Sequence, residues 1–202
     1  MPDVSGKRIL IFGDSLSSGA GSPGEEMAAQ LAARGANVHV NARIGRSAVN
    51  FYSREDAAGQ LASSLEFGAD MVIIQLGTND MGLVMSVDRA RMIQLRDSLG
   101  AGAEVWAFGP PSFRSSLGHD GDAAQVVTMM MSVFGDHFID LRPLTKTMLT
   151  ASEGRANDGV HFTAAGGRVI GKRMADELTS AGGGSSLLIA TVLGVLAYAL
   201  FR

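Results

Sequence analysis

Apolar runs alternate with helical segments along most of this chain, and that alternation restricts the fold more than any other feature. Arg8–Phe12, Asn37–Asn41, Met71–Leu76, Glu104–Phe108 and His137–Asp140 read as strands. Helices are expected at Glu25–Arg34, Asp56–Phe67, Ser86–Leu99, Asp122–Phe134 and Thr163–Thr179. Gly35 follows the first helix as a C-terminal cap, and Ser86 is placed as the N-cap of the third, with Asp88 in its first turn. Runs such as Met71-Val72-Ile73-Ile74 are apolar at every position, as a strand buried on both faces requires. Strands of that kind separated by helices predict an α/β fold: a parallel sheet between two helical layers, three layers in all. Binding sites in such sheets form beyond the carboxyl ends of the strands.

Four polar, glycine-containing clusters fall at such ends or in a late loop: Gly13-Asp14-Ser15-Leu16, Gly45, Gly77-Thr78-Asn79-Asp80 and Asp158-Gly159-Val160-His161. Ser15 sits where the chain turns out of the first strand, which exposes its hydroxyl beside backbone N–H groups. Asp158 stands three residues before His161, close enough in a turn to accept from the ring and fix its tautomer. The other ring nitrogen would then face Ser15 as a general base. Asn79 offers a side-chain amide, and Gly45 a backbone N–H with no side chain in the way. Ser15 N–H, Gly45 N–H and Asn79 Nδ2 together form a plausible oxyanion hole. Taken singly, each cluster is also what an ordinary turn contains. Four of them in this order point to a serine hydrolase. His39, His119 and His137 fit the base less well, because they fall in strands or a polar loop.

The four clusters resemble those of the SGNH hydrolases, also called the GDSL esterase/lipase family, over about residues 6–181. Gly-Asp-Ser-Leu stands intact at Gly13–Leu16, Gly-x-Asn-Asp at Gly77–Asp80 and Asp-x-x-His at Asp158–His161, while Gly45 matches a looser second block. The resemblance implies Ser15 as nucleophile, His161 as base, Asp158 as acid, and Ser15, Gly45 and Asn79 as oxyanion donors. It also implies a flavodoxin-like, five-stranded parallel sheet and ester hydrolysis through an acyl-enzyme, with no cofactor and no metal. The alternative is a non-catalytic, membrane-anchored or assembly subunit on a hydrolase fold. Acetylated glycans, lysophospholipids, thioesters and aryl esters all remain open as substrates.

Composition narrows the partners. The 202 residues are 46% hydrophobic, enough for one domain with a core. A net charge of −3 with no basic run excludes a nucleic-acid surface, and the absence of cysteine excludes disulfides and thiolate metal sites. No secretory signal is expected, because Met1–Gly6 is polar and Ile9–Phe12 too short. Gly182–Ser186 reads as a flexible linker, and the uncharged 187–201 as a hydrophobic C-terminal helix. At 1.5 Å per residue that helix would be roughly 22 Å long, short against a bilayer core of about 30 Å. It is expected to contact a membrane, with the domain on the cytoplasmic side, or protein, including a second copy of the chain.

Three further features compete for roles. Gly19-Ala20-Gly21-Ser22-Pro23-Gly24 has the dinucleotide spacing, but starts seven residues after Phe12 and is followed by Glu25 and Glu26. It reads better as a flexible, glycine-rich active-site loop. Met129-Met130-Met131 is expected in the core, with an acyl pocket as the other use. Arg46 and Arg114 are expected to be solvated surface charges, with an anionic substrate as the alternative.

Overall fold

The computed structural model describes residues 2–48, 51, 57–82, 85–113, 117, 119–148 and 150–181. Strands β1 (Arg8–Gly13), β2 (Asn37–Ala42), β3 (Met71–Gln75), β4 (Glu104–Phe108) and β5 (Phe138–Ile139) form one sheet in the order β2-β1-β3-β4-β5, every pair parallel. The helices are α1 (Pro23–Ala33), α2 (Ala57–Glu66), α3 (Met85–Leu99), α4 (Asp120–Phe134), the short α5 (Arg142–Thr145) and α6 (Ala164–Ala181). The five-stranded parallel sheet with flanking helices is the α/β architecture that the alternation predicts. The hydrophobic segment 187–201 lies outside the described residues. Among the described residues no helix is long and apolar enough to cross a membrane.

Period-two alternation sorts the strand side chains onto two cores. Leu10, Phe12, Val72, Ile74 and Ala107 face one layer, packed with Met92 and Leu95 of α3 and Val126 and Met130 of α4. Ile9, Ile11, Met71, Ile73, Trp106 and Phe108 face the other, against Met27 and Leu31 of α1 and Ile170 and Met174 of α6. All five residues of β3 are buried, which accounts for the unbroken apolar run Met71–Ile74. Met129 and Met130 belong to the core as expected, whereas Met131 is 43% exposed.

Several boundaries differ from the sequence reading. Helix α3 begins at Met85, so Ser86 lies inside its first turn and not before it. Asp88 shares the inward face of α3 with Met92, Leu95 and Leu99, and that buried face sets the phase of the helix. Strand β5 is cut to two residues because Gly135–His137 forms a 3-10 turn, with the His137 ring stacked on Trp106 at 4.6 Å. Helix α5 had no period to announce it; Pro143 stands in its first turn, and Asp140 accepts from Arg142 N–H at 2.9 Å.

The chain runs from β1 out to β2 and returns past β1 to β3. The crossovers therefore diverge between β1 and β3, and a crevice opens beyond their carboxyl ends. Gly13–Leu16 and Gly77–Asp80 leave the sheet at that crevice.

Candidate active site

Ser15 opens a 3-10 turn, Ser15–Ser17, directly after β1. Asp14 caps that turn, its Oδ1 accepting from Leu16 N–H at 2.8 Å. The turn must pass close to β1, since a Cβ on Gly13 would lie 2.5 Å from Ser17 Cβ. Ser17 Oγ donates to Gln75 Oε1 in the buried interior and ties the turn to the end of β3. This packing leaves Ser15 half-buried at the crevice.

His161 arrives from the opposite side on the segment before α6. Its Nε2 lies 2.8 Å from Ser15 Oγ, and its Nδ1 lies 2.7 Å from Asp158 Oδ2. A carboxylate can only accept, so Nδ1 donates to Asp158, and Nε2 is the ring nitrogen that faces the serine hydroxyl. Asp158 Oδ1 accepts from the Val160 and His161 N–H groups, each at 2.9 Å. Partial burial works against the Asp158 charge. The hydrogen bonds from the His161 ring and these two backbone groups outweigh it and hold the carboxyl down at about 2.

The loop carrying this pair is held from inside by Arg155, which is fully buried. Its guanidinium donates to Met148 O at 2.8 Å, Val160 O at 2.7 Å and Ser112 O at 2.7 Å, and lies 4.0 Å over the Phe162 ring. Ala156 N–H donates to His161 O at 2.8 Å, closing a tight loop with Gly159 at φ +73°. Nothing in the sequence marks Arg155, because an arginine in a polar stretch reads as a surface charge.

The remaining two clusters meet across the crevice. Asn79 Nδ2 donates to Arg46 O at 3.0 Å and lies 3.5 Å from Asp14 Oδ2. Asp80 Oδ1 accepts from Ala48 N–H at 2.8 Å, and Arg43 N–H donates to Gly13 O at 3.1 Å. Gly45 therefore sits in a loop pinned to the ends of β1 and of the β3 cluster. It is exposed at φ +76°, with nothing within 4 Å of where a Cβ would stand. The structure thus brings Ser15, His161 and Asp158 into one hydrogen-bonded chain, and places Asn79 and the residues flanking Gly45 beside it.

Two charged groups differ from the sequence reading. Arg46 is not a solvated surface charge: it is 6% exposed, and burial, with Arg43 nearby, lowers it to about 10 although Asp14 partly restores it. Its hydrogen bonds to Gly13, Asn41 and Gln60 are what permit that burial. Asp14 is wholly buried and pushed up to about 7, chiefly by desolvation and also by Asp80, against its hydrogen bonds and His161. Arg114 lies outside the described residues. The glycine-rich stretch before α1 serves packing: Ser22 Oγ accepts from Glu25 N–H at 3.3 Å, and Gly21 fits against Ala164 of α6. Among the described residues, no three His, Asp or Glu side chains are grouped to hold a metal ion.

The GDSL-like Lipase/Acylhydrolase family model matches residues 11–169, and the chain belongs to that family. Solved structures share the fold. An assigned SGNH hydrolase of Slackia heliotrinireducens is 23% identical over 84% of this chain and 97% of its own, with a TM-score of 0.67. The psychrotrophic esterase EstA from Pseudoalteromonas sp. is 18% identical over 86% of this chain and 97% of its own, with a TM-score of 0.63. A peptidoglycan O-acetylesterase is 25% identical over 73% of this chain but only 47% of its own, with a TM-score of 0.55. No curated protein matches the chain. The protein is a hydrolase of the SGNH/GDSL type, a class of esterases and acylhydrolases.

Proposed function

We propose that this protein cleaves carboxylic esters through a Ser15–His161–Asp158 triad and an acyl-enzyme. The observation that carries the reading is the unbroken hydrogen-bonded chain from Asp158 Oδ2 through both ring nitrogens of His161 to Ser15 Oγ, at 2.7 and 2.8 Å. In the first step Ser15 Oγ attacks the ester carbonyl while His161 Nε2 takes the hydroxyl proton. Asp158 stabilises the imidazolium without taking the proton itself. The oxyanion is held by Ser15 N–H, Gly45 N–H and Asn79 Nδ2. Collapse expels the alcohol, which receives the proton from His161. Water, deprotonated by the same nitrogen, then attacks the acyl-enzyme and releases the acid, restoring Ser15.

The test is hydrolysis of p-nitrophenyl esters from acetyl to palmitoyl by the full chain, with Ser15→Ala beside it. Turnover that vanishes in the variant, with an unchanged fold, supports the triad; equal turnover in both rules Ser15 out as nucleophile. The preferred chain length separates an acetylesterase from a longer-chain acylhydrolase. If no ester is cleaved and a fluorophosphonate leaves Ser15 unlabelled, the alternative of a non-catalytic subunit on this fold takes over. We extend the proposal to the uncharged segment 187–201, which by composition would hold the domain at a membrane.

A further inference from the structure

We infer that Arg46 is a positioning residue for the oxyanion pocket, fixing two of its three donors, Gly45 N–H and Asn79 Nδ2, from behind. The inference rests on the catalytic reading above and names a residue which that reading leaves out. Arg46 follows Gly45 directly. Its Nη1 donates to Gly13 O at 3.0 Å and Asn41 O at 2.7 Å, bridging the last turn of β1 to the end of β2. Its Nη2 donates to Asn41 Oδ1 at 2.9 Å and Gln60 Oε1 at 3.3 Å. The guanidinium lies 4.1 Å over the Phe12 ring. Four hydrogen bonds and a ring face leave the side chain one rotamer, and through it the backbone of residues 45–46 one position.

The main chain of the same residue carries the second contact. Arg46 O accepts from Asn79 Nδ2 at 3.0 Å. A carbonyl can only accept, so the Asn79 amide must turn its nitrogen toward this loop, and one of its two N–H bonds is spent fixing the amide plane. The other reaches Asp14 Oδ2 only at 3.5 Å, and it is this loosely held N–H that turns to the oxyanion. A buried arginine is costly to desolvate unless its donors are met, as these are. Its placement on the β1 and β2 carbonyls, with its own carbonyl on Asn79, matches a pocket that must hold donors in place before charge develops.

The test is a double-mutant cycle in kcat on the full chain, using Arg46→Met, Arg46→Lys and Asn79→Ala, with thermal unfolding of each. Asn79→Ala is expected to lower kcat about 10²–10³-fold, as loss of one oxyanion donor does. Arg46→Met is expected to lower kcat about 10²-fold with KM changed less than about threefold, and in the Asn79→Ala background to cost clearly less than that, since only the Gly45 donor is left for it to disturb. Arg46→Lys, which keeps the charge and one carbonyl contact, should recover part of the loss. The pH profile of kcat/KM should keep its shape, since the Ser15–His161–Asp158 chain is untouched. Losses that multiply in the double variant, a change in KM alone, or unaltered kcat in Arg46→Met each overturn the inference. Failure of both Arg46 variants to fold makes the residue structural and overturns it too. A wild-type chain with no esterase turnover removes the catalytic reading itself, an outcome separate from active wild type with indifferent Arg46 variants.

Discussion

Asp14 illustrates how much a single residue next to the proposed nucleophile is governed by burial. It caps the Ser15 turn through Leu16 N–H, approaches Asn79, and has no exposed surface. Its carboxyl, pushed up to about 7 chiefly by desolvation, stays protonated in the folded chain where the unfolded chain has already ionised. The unfolded state then binds fewer protons than the native state, so stability falls as pH rises from about 4 to about 7 and levels off above. Asp158 works in the opposite sense. Held at about 2, it contributes stability above about 4 that is lost as pH falls toward 2. Asp14→Asn should therefore gain stability relative to wild type as pH rises across the first window. Denaturant midpoints at pH 4.5 and 8 check this; a wild-type-minus-variant difference independent of pH would show that Asp14 ionises normally.

At the scale of elements, the glycines of α6 decide how near it comes to α1. A Cβ on Gly171 would stand 2.5 Å from both Glu26 Cβ and Pro23 O, inside any real contact. The two helices cover β1 together, burying Met27, Leu31, Ile170 and Met174 over Ile9 and Ile11. Since α6 starts three residues after His161, its seating also sets where that ring begins its reach toward Ser15. Gly171→Ala should force the helices apart and cost about 1–3 kcal/mol, the usual penalty for overpacking. Urea denaturation measures it; a neutral result would mean that α6 can slide along α1 without loss.

Considered whole, the molecule places its chemistry where the topology reverses. The order β2-β1-β3-β4-β5 opens the crevice beyond β1 and β3, and the clusters after those two strands face each other across it. The segment 187–201 adds a separate expectation. The full chain should float with phospholipid vesicles in a density gradient, whereas a chain ended after Ala181 should not. Recovery of both in the bottom fraction would assign the segment to protein contact instead.

The sequence by itself determined the layered α/β class, because β3 and its neighbours are apolar on both faces and no other arrangement covers them. It also marked Ser15, Gly45, Asn79, Asp158 and His161, since the proposed chemistry needs those groups at strand ends or in one late loop whatever surrounds them. Local pattern could not place Asp14, Arg46 and Arg155. As letters they are three surface charges. The burial of the two arginines depends on carbonyls that the fold gathers from near and far: Asn41 and the distant Gly13 for Arg46, and Met148, Val160 and the distant Ser112 for Arg155. A charge enters the interior only where such partners already converge, and that convergence is a property of the tertiary structure alone.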